Sequence, residues 1–390
     1  IRREVGDRRG EASTINNLGG VAFSLGDYPR AFELYQQSLA LYRALGDRVN
    51  EALSLNNIGE ATTMRGDRAG ARPHYLAALA IRQEIQDRVG EAATQASLAR
   101  LHRDLGELPE ARRRIEATLT IVENLRNKIT NPDLRASYFA TVQQYYELYI
   151  SILMRAHVQA PDAGNQIAAF MASERSRARG LLDLLEEART DIREGISPSL
   201  LAREQDVQGR FNASADKFTR LLSGKHTTQE AEDATRELND ITTEYDLVQS
   251  QIRQSSPRAV ALAKTDSLSI SDLQNQVLDR ETILLEYKLG EDASYVWAVT
   301  PTAVAGFALP GRNEIEAAAR RVYELLTERN RRPADETTAQ RQARLRQAEA
   351  EYPAAAAKLS ELVLAPLGPV SGIKRVLIVA DGALQYVPFQ

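Results

Sequence analysis

The chain of 390 residues contains no cysteine. That excludes disulfides, thiolate chemistry and cysteine-ligated metal sites within it, and it fits a reducing, cytoplasmic setting. Histidine is scarce, with four in all, and His74, His102, His157 and His226 are too scattered for a metal site. No glycine-rich phosphate loop of the P-loop or dinucleotide type is present, so neither cofactor nor metal is expected. Lys+Arg 49 against Asp+Glu 53 gives a net charge of -4, without the basic excess that marks a nucleic-acid partner. No apolar run approaches the roughly 18 residues of a bilayer span, so no membrane partner is expected. Carboxylates are abundant, but no pair stands out for acid–base work.

What the chain has is a repeat of forty residues. Gly6-Asp7-Arg8 returns as Gly46-Asp47-Arg48 and as Gln86-Asp87-Arg88. Glu11-Ala12 matches Glu51-Ala52 and Glu91-Ala92, and Asn17-Leu18-Gly19 matches Asn57-Ile58-Gly59 and Ser97-Leu98-Ala99. Ala31, Ala71 and Ala111 align, as do Leu39, Leu79 and Leu119. A period between about 20 and 50 residues marks stacked supersecondary units. Each unit reads as two helices, in copy one from Glu11 to Leu25 and from Pro29 to Leu45. A Gly-Asp turn divides them, where glycine takes a left-handed cap. Small residues at Gly19, Gly59 and Ala99 let helix backbones approach closely. The pattern resembles the tetratricopeptide repeat in a form with an extended second helix. Ile1 to Asp7 matches the tail of a unit, so the first residue is expected to fall inside an earlier one.

In such an array the first helices line a concave groove. Its side chains are expected to be Asn16, Asn17, Gly20 and Phe23 from copy one, Asn56, Asn57 and Glu60 from copy two, and Arg100 and Arg103 from copy three. Asparagines one period apart suit an extended peptide backbone, because each amide donates and accepts. The competing reading has them bonded to neighbouring helices or water. A protein or peptide is the expected partner.

The rest divides by pattern. Residues 1–126 are the repeat array, and 127–197 a helical linker that continues the superhelix. The linker's Asn131-Pro132-Asp133 is a helix start. Its Tyr138, Phe139, Tyr145, Tyr146, Tyr149, Ile152 and Leu153 form an aromatic stripe that reads as core. Residues 198–256 read as an antiparallel helical hairpin. An a/d seam runs through Ala231, Ala234, Leu238, Ile241, Tyr245, Val248 and Ile252, and the turn lies at Ser223 to Thr228. The hairpin also offers a route to self-association, and His226 in its turn reads as exposed and inert. From 263 to 390 the pattern becomes α/β. Strands are expected at 282–288, 294–300 and 303–309, helices at 313–328 and 336–364, and a last strand at 375–380. That strand is apolar enough to be central and buried on both faces. The fold class is therefore mainly α, with an α/β part that is incomplete at its C-terminal end. Asp381 follows the last strand, and with Gly382 it reads as a plain turn.

Three segments in order carry a second resemblance: Leu284-Leu-Glu-Tyr-Lys-Leu-Gly290, Tyr295-Val-Trp-Ala-Val-Thr300 and Leu377-Ile-Val-Ala-Asp-Gly-Ala-Leu-Gln-Tyr-Val-Pro-Phe389. Behind a tetratricopeptide array they resemble the CHAT family, caspase-like domains that are mostly bacterial. Glu174-Arg-Ser-Arg-Ala-Arg179 resembles the helix that precedes such a domain. The resemblance implies cysteine peptidases with a His–Cys dyad placed after later strands of the sheet. With no cysteine, and no histidine in the α/β part, no catalytic residue can be carried onto this chain. The expected function is the partner-binding and regulatory part of such a peptidase. The alternative is a non-catalytic scaffold with a degenerate caspase-like domain.

Overall fold

The structure, a computed structural model, describes residues 6–126, 132–187, 196–223, 269–331, 336–368 and 372–389, together with 237, 240–245, 247–248, 251–252 and 333. The repeats form six helices: α1 Arg8–Ser24, α2 Tyr28–Ala44, α3 Arg48–Met64, α4 Arg68–Glu84, α5 Arg88–Asp104 and α6 Leu108–Arg126. The recurrent aspartate is a cap. The carboxylates of Asp7, Asp27, Asp47, Asp67 and Asp87 each accept from the backbone N–H three residues on, at 2.8 to 3.2 Å. The glycine before it reverses the chain, with φ of 80° at Gly26, 66° at Gly46 and 92° at Gly66. Gln86 takes the same conformation at φ 58° without being glycine, at a cost of about 1 kcal/mol.

The small residues of the first helices are explained by what faces them. A Cβ on Gly19 would lie 2.6 Å from the Tyr35 ring, and one on Gly59 2.7 Å from the Tyr75 ring. Copy three solves the same packing differently, with Ala99 in place of the glycine and Ile115 in place of the tyrosine, both fully buried. The two positions vary in size together.

Two compact units divide the chain. The first contains the array, the helix α7 Pro132–Gln159, the helix α8 (Asn165–Glu187) as far as Ser176, and the residues from Ile270 onward. Its sheet has β1 Thr282–Lys288, β2 Ser294–Val299, β3 Val304–Leu309 and β4 Arg375–Val379, in the order β3-β2-β1-β4. The first three strands pair antiparallel, and β4 joins β1 in parallel after the helices α10 Arg312–Thr327 and α11 Thr338–Val363. Strand alternation gives the sheet two buried faces. Leu284, Tyr295, Trp297 and Val299 meet Tyr146, Ile150, Leu153 and Met154 of α7 and Phe170 of α8. Ile283, Leu285, Tyr287 and Val296 meet Ile315, Ala319 and Val322 of α10 and Leu359, Leu362 and Val363 of α11. A Cβ on Gly306 of β3 would approach Trp297 to 3.1 Å, so the strand's glycine admits the indole.

The last strand departs from the sequence expectation. β1, not β4, is central. Among the described residues β4 has a neighbour on one side only, and Val376 and Leu377 are 51% and 39% exposed. An apolar run reports that a strand is apolar, not that chain lies on both sides of it.

In the second unit, α9 (Pro198–Ser223) pairs with the helical residues 240–245 and 251–252. Phe211 stacks on Tyr245 at 6.2 Å, Arg210 bonds Glu244 at 2.7 Å, and Val207, Val248, Ile196 and Ile252 share a core. These contacts join the two helical stretches side by side. The expected turn beyond Ser223, His226 included, lies outside the described residues, as do Ala231, Ala234 and Leu238 of the seam.

If the glycine–tyrosine pairs set helix spacing, Gly59→Ala alone destabilises the chain. Adding Tyr75→Ile, the copy-three solution, restores it, with a coupling of about 1–2 kcal/mol in a double-mutant cycle. Urea denaturation of the four chains checks this, and additive effects would contradict it.

Candidate functional site

The first helices α1, α3 and α5 carry the residues expected in the groove, and the structure treats them in three ways. At the α1 end, Asn16, Asn17, Gly20, Ser24, Tyr35 and Asn57 border a cavity of about 460 Å³. Asn57 Nδ2 donates to Asn16 Oδ1 at 3.2 Å, joining the first two copies. Asn17 is exposed. The Asn16 amide nitrogen and the Asn57 carbonyl remain directed away from that bond, so donors and acceptors are both available there. Phe23 packs edge-on against Tyr28 at 5.3 Å.

In the middle of the array the second asparagine of the pair has a structural task. Asn56 is 8% exposed; its Nδ2 donates to Glu60 Oε1 at 3.3 Å, and its Oδ1 accepts from Thr94 Oγ1 at 3.2 Å. Thr94 in turn accepts from Arg82 Nη1 at 2.7 Å. A buried polar chain thus runs from α4 through α5 to α3. Sequence reasoning missed Arg82 and Thr94. The signal was present, because Arg82 occupies the repeat position of Tyr42 and Val122, both buried in their own copies. A cation at an apolar position of a repeat demands buried partners. Burial holds the Arg82 guanidinium below its ordinary value. Glu60 is half-buried at the end of this chain. Burial pushes its carboxyl above the usual carboxylate range, against the pull of Arg100, the bond from Asn56 and Arg82.

At the α5 end Arg100 is exposed, whereas Arg103 is 8% exposed and fully engaged. Its Nε donates to Asp104 Oδ1 at 2.8 Å and its Nη1 to Ser151 Oγ at 3.4 Å, and its Nη2 lies 3.3 Å from Asp292 Oδ2. The structure therefore brings Asn16, Asn17 and Asn57 together, takes Asn56 into the interior and sets the arginines apart at the far end.

Two further residues with titratable side chains, His102 and Asp381, make structural contacts. His102 Nδ1 lies 2.5 Å from Glu107 Oε2, tying the loop between α5 and α6. Asp381 accepts from Leu289 N at 2.8 Å and from Gly382 N at 3.1 Å, capping a short 3-10 turn at residues 382–386. Among the described residues no three His, Cys, Asp or Glu side chains converge on a point. No described helix is long and apolar enough to cross a membrane.

The Glu60 shift sets a pH dependence. A carboxyl whose folded pKa is raised favours folding while protonated, so its contribution is lost as pH rises above the ordinary 4.5 through the raised value. Glu60→Gln removes that loss. The variant is expected to unfold at higher urea than the natural chain at slightly alkaline pH, with the difference vanishing in acid. An equal difference at both pH values would contradict the assignment.

In comparisons with known proteins, the tetratricopeptide repeat family model matches residues 10–84 and again residues 53–124. No curated protein matches the chain. The helix pairs, the forty-residue register and this match together establish that the N-terminal third of the chain is an array of tetratricopeptide repeats, a module of protein–protein interaction.

Proposed function

We propose that the chain is the partner-binding and regulatory part of a caspase-like cysteine peptidase of the CHAT type. A protein or peptide segment is held in the groove at Asn16, Asn17 and Asn57. The observation that carries this reading is the position of α7. On one side Leu148 and Ile152 pack with Ala96 and Ala99 of α5 and Ile115 of α6. On the other, Tyr146, Ile150, Leu153 and Met154 pack against the sheet. A segment bound along the first helices acts on an array that is fastened to the α/β part by α7, by Ala92, Ile121 and Val122 in the cluster of Trp297, and by the Arg103–Asp292 ion pair. The parallel β1–β4 pair, closed by two helices on one face, supports the α/β reading of the three resembling segments. These 390 residues contain no cysteine, and the role we assign to them in such a system is recognition and control.

The test begins with peptides selected by display against the 390-residue chain. Asn17→Ala with Asn57→Ala is expected to weaken the selected peptides about tenfold or more, the order of two lost hydrogen bonds, with helical content unchanged. Affinities that ignore both substitutions would overturn groove binding. The peptidase half falls if the coding sequence beyond Gln390 yields no histidine and cysteine at strand ends.

A further inference from the structure

The turn between β1 and β2 reaches the arginine end of the groove. Its Asp292 stands 3.3 Å from Arg103, and its own side chain is 66% exposed against 8% for the arginine. Around this ion pair lies a cleft of about 140 Å³, bordered also by Arg100, Gln144, Glu147 and Ser151. Arg100 makes no hydrogen bond among the described residues and lies near Glu60. Glu147 is already taken by Arg312 at 2.6 Å. The cleft therefore presents one exposed guanidinium, and one buried guanidinium that Asp104 holds at its Nε while its Nη2 meets Asp292, a carboxylate that faces water.

That asymmetry matters. A buried cation needs a counter-charge, but nothing requires the counter-charge to come from this turn. Asp292 is a mostly solvated carboxylate on a two-residue acidic step, Glu291-Asp292. It reaches the arginine from outside the array, as a carboxylate on a separate chain would.

We propose that Glu291-Asp292 is an internal occupant of the groove's basic end, and that the segment the groove accepts is acidic, its carboxylate replacing Asp292 on Arg103 and meeting Arg100. This rests on the groove reading above and adds the chemistry of the partner and the element it displaces. The turn is tied from behind to the sheet. Gly290 O accepts from Arg312 N at 2.8 Å, Arg312 Nη2 donates to Leu289 O at 2.8 Å, and Leu289 N donates to Asp381 Oδ2 at 2.8 Å. Release from Arg103 thus frees the tip of a turn whose base is joined to the end of β4. By linkage, whatever strengthens the turn's hold on Arg103 weakens the partner's, and the reverse.

The probe is fluorescein-labelled hexaglutamate, with hexaserine as the uncharged control, followed by anisotropy at low salt where screening is least. Asp292→Asn, at an exposed position, removes the internal charge while keeping the shape. The variant is expected to bind hexaglutamate about tenfold tighter than the natural chain, the equivalent of one charge-assisted bond made available. Arg100→Ala weakens binding, and hexaserine does not respond to Asp292. Equal hexaglutamate affinity in the two chains, an equal gain for hexaserine, or no hexaglutamate binding by either chain at millimolar peptide each overturns the proposal. Display-selected peptides that still depend on Asn17 and Asn57 would show in any of those cases that the groove reading itself survives.

Discussion

Everything in the first unit depends on α7 having two apolar faces. A helix that is polar on one side ends a structure; one that is apolar nearly all round must be covered on both sides. Leu148 and Ile152 close the repeat array, and Tyr146, Ile150, Leu153 and Met154 form one wall of the sheet's core. Tyr145 and Tyr149 touch both clusters. Repeat arrays are stabilised chiefly by nearest-neighbour packing, so the last repeat needs such a cover. Here the cover is also the floor on which the strands lie.

The polar contacts follow from that arrangement. Once the sheet is seated on α7, its β1–β2 turn comes within reach of α5, and Arg103 and Asp292 can meet. Arg312 closes a second link, to Glu147 of α7. Gln166 of α8 bonds both the carbonyl of Val304 and the N–H of Gly306, at 3.0 Å each, fixing β3. Ser173 of the same helix donates to the buried Glu286 of β1 at 2.8 Å. These bonds add specificity to a register that apolar packing already selects, because each satisfies a group that burial would otherwise penalise.

Much of this was legible in the sequence, and what was not has physical reasons. The array could be read because three copies repeat the same solutions: a glycine to reverse, an aspartate to cap, a small residue opposite a ring. Tyr145, Tyr146 and Tyr149 of α7 were legible as core, whereas Tyr138 and Phe139 of the same stripe lie outside the described side chains; that α7 serves two cores was not legible, since periodicity shows that a face is apolar and not what covers it. The same limit explains β4, whose composition suits a central strand although it lies at an edge of the described sheet. At the groove, spacing placed Asn56 beside Asn57 but could not tell that Thr94, from the next copy, takes up its carbonyl. Arg103 was legible as a groove cation. Its engagement by Asp292 was not, because the two are brought together only by the sheet's seat on α7.

The central claim is that the repeat array and the sheet share one core through α7. Trp297, the only tryptophan of the chain, reports on the sheet side. Ile115 lies on the array side and does not belong to the cluster around Trp297. The measurement is urea unfolding followed by Trp297 fluorescence and by far-UV circular dichroism, in the natural chain and in Ile115→Ala, a cavity expected to cost about 2–5 kcal/mol. The account expects the fluorescence midpoint to fall together with the dichroism midpoint. A fluorescence transition that stays in place while the dichroism transition moves would contradict it.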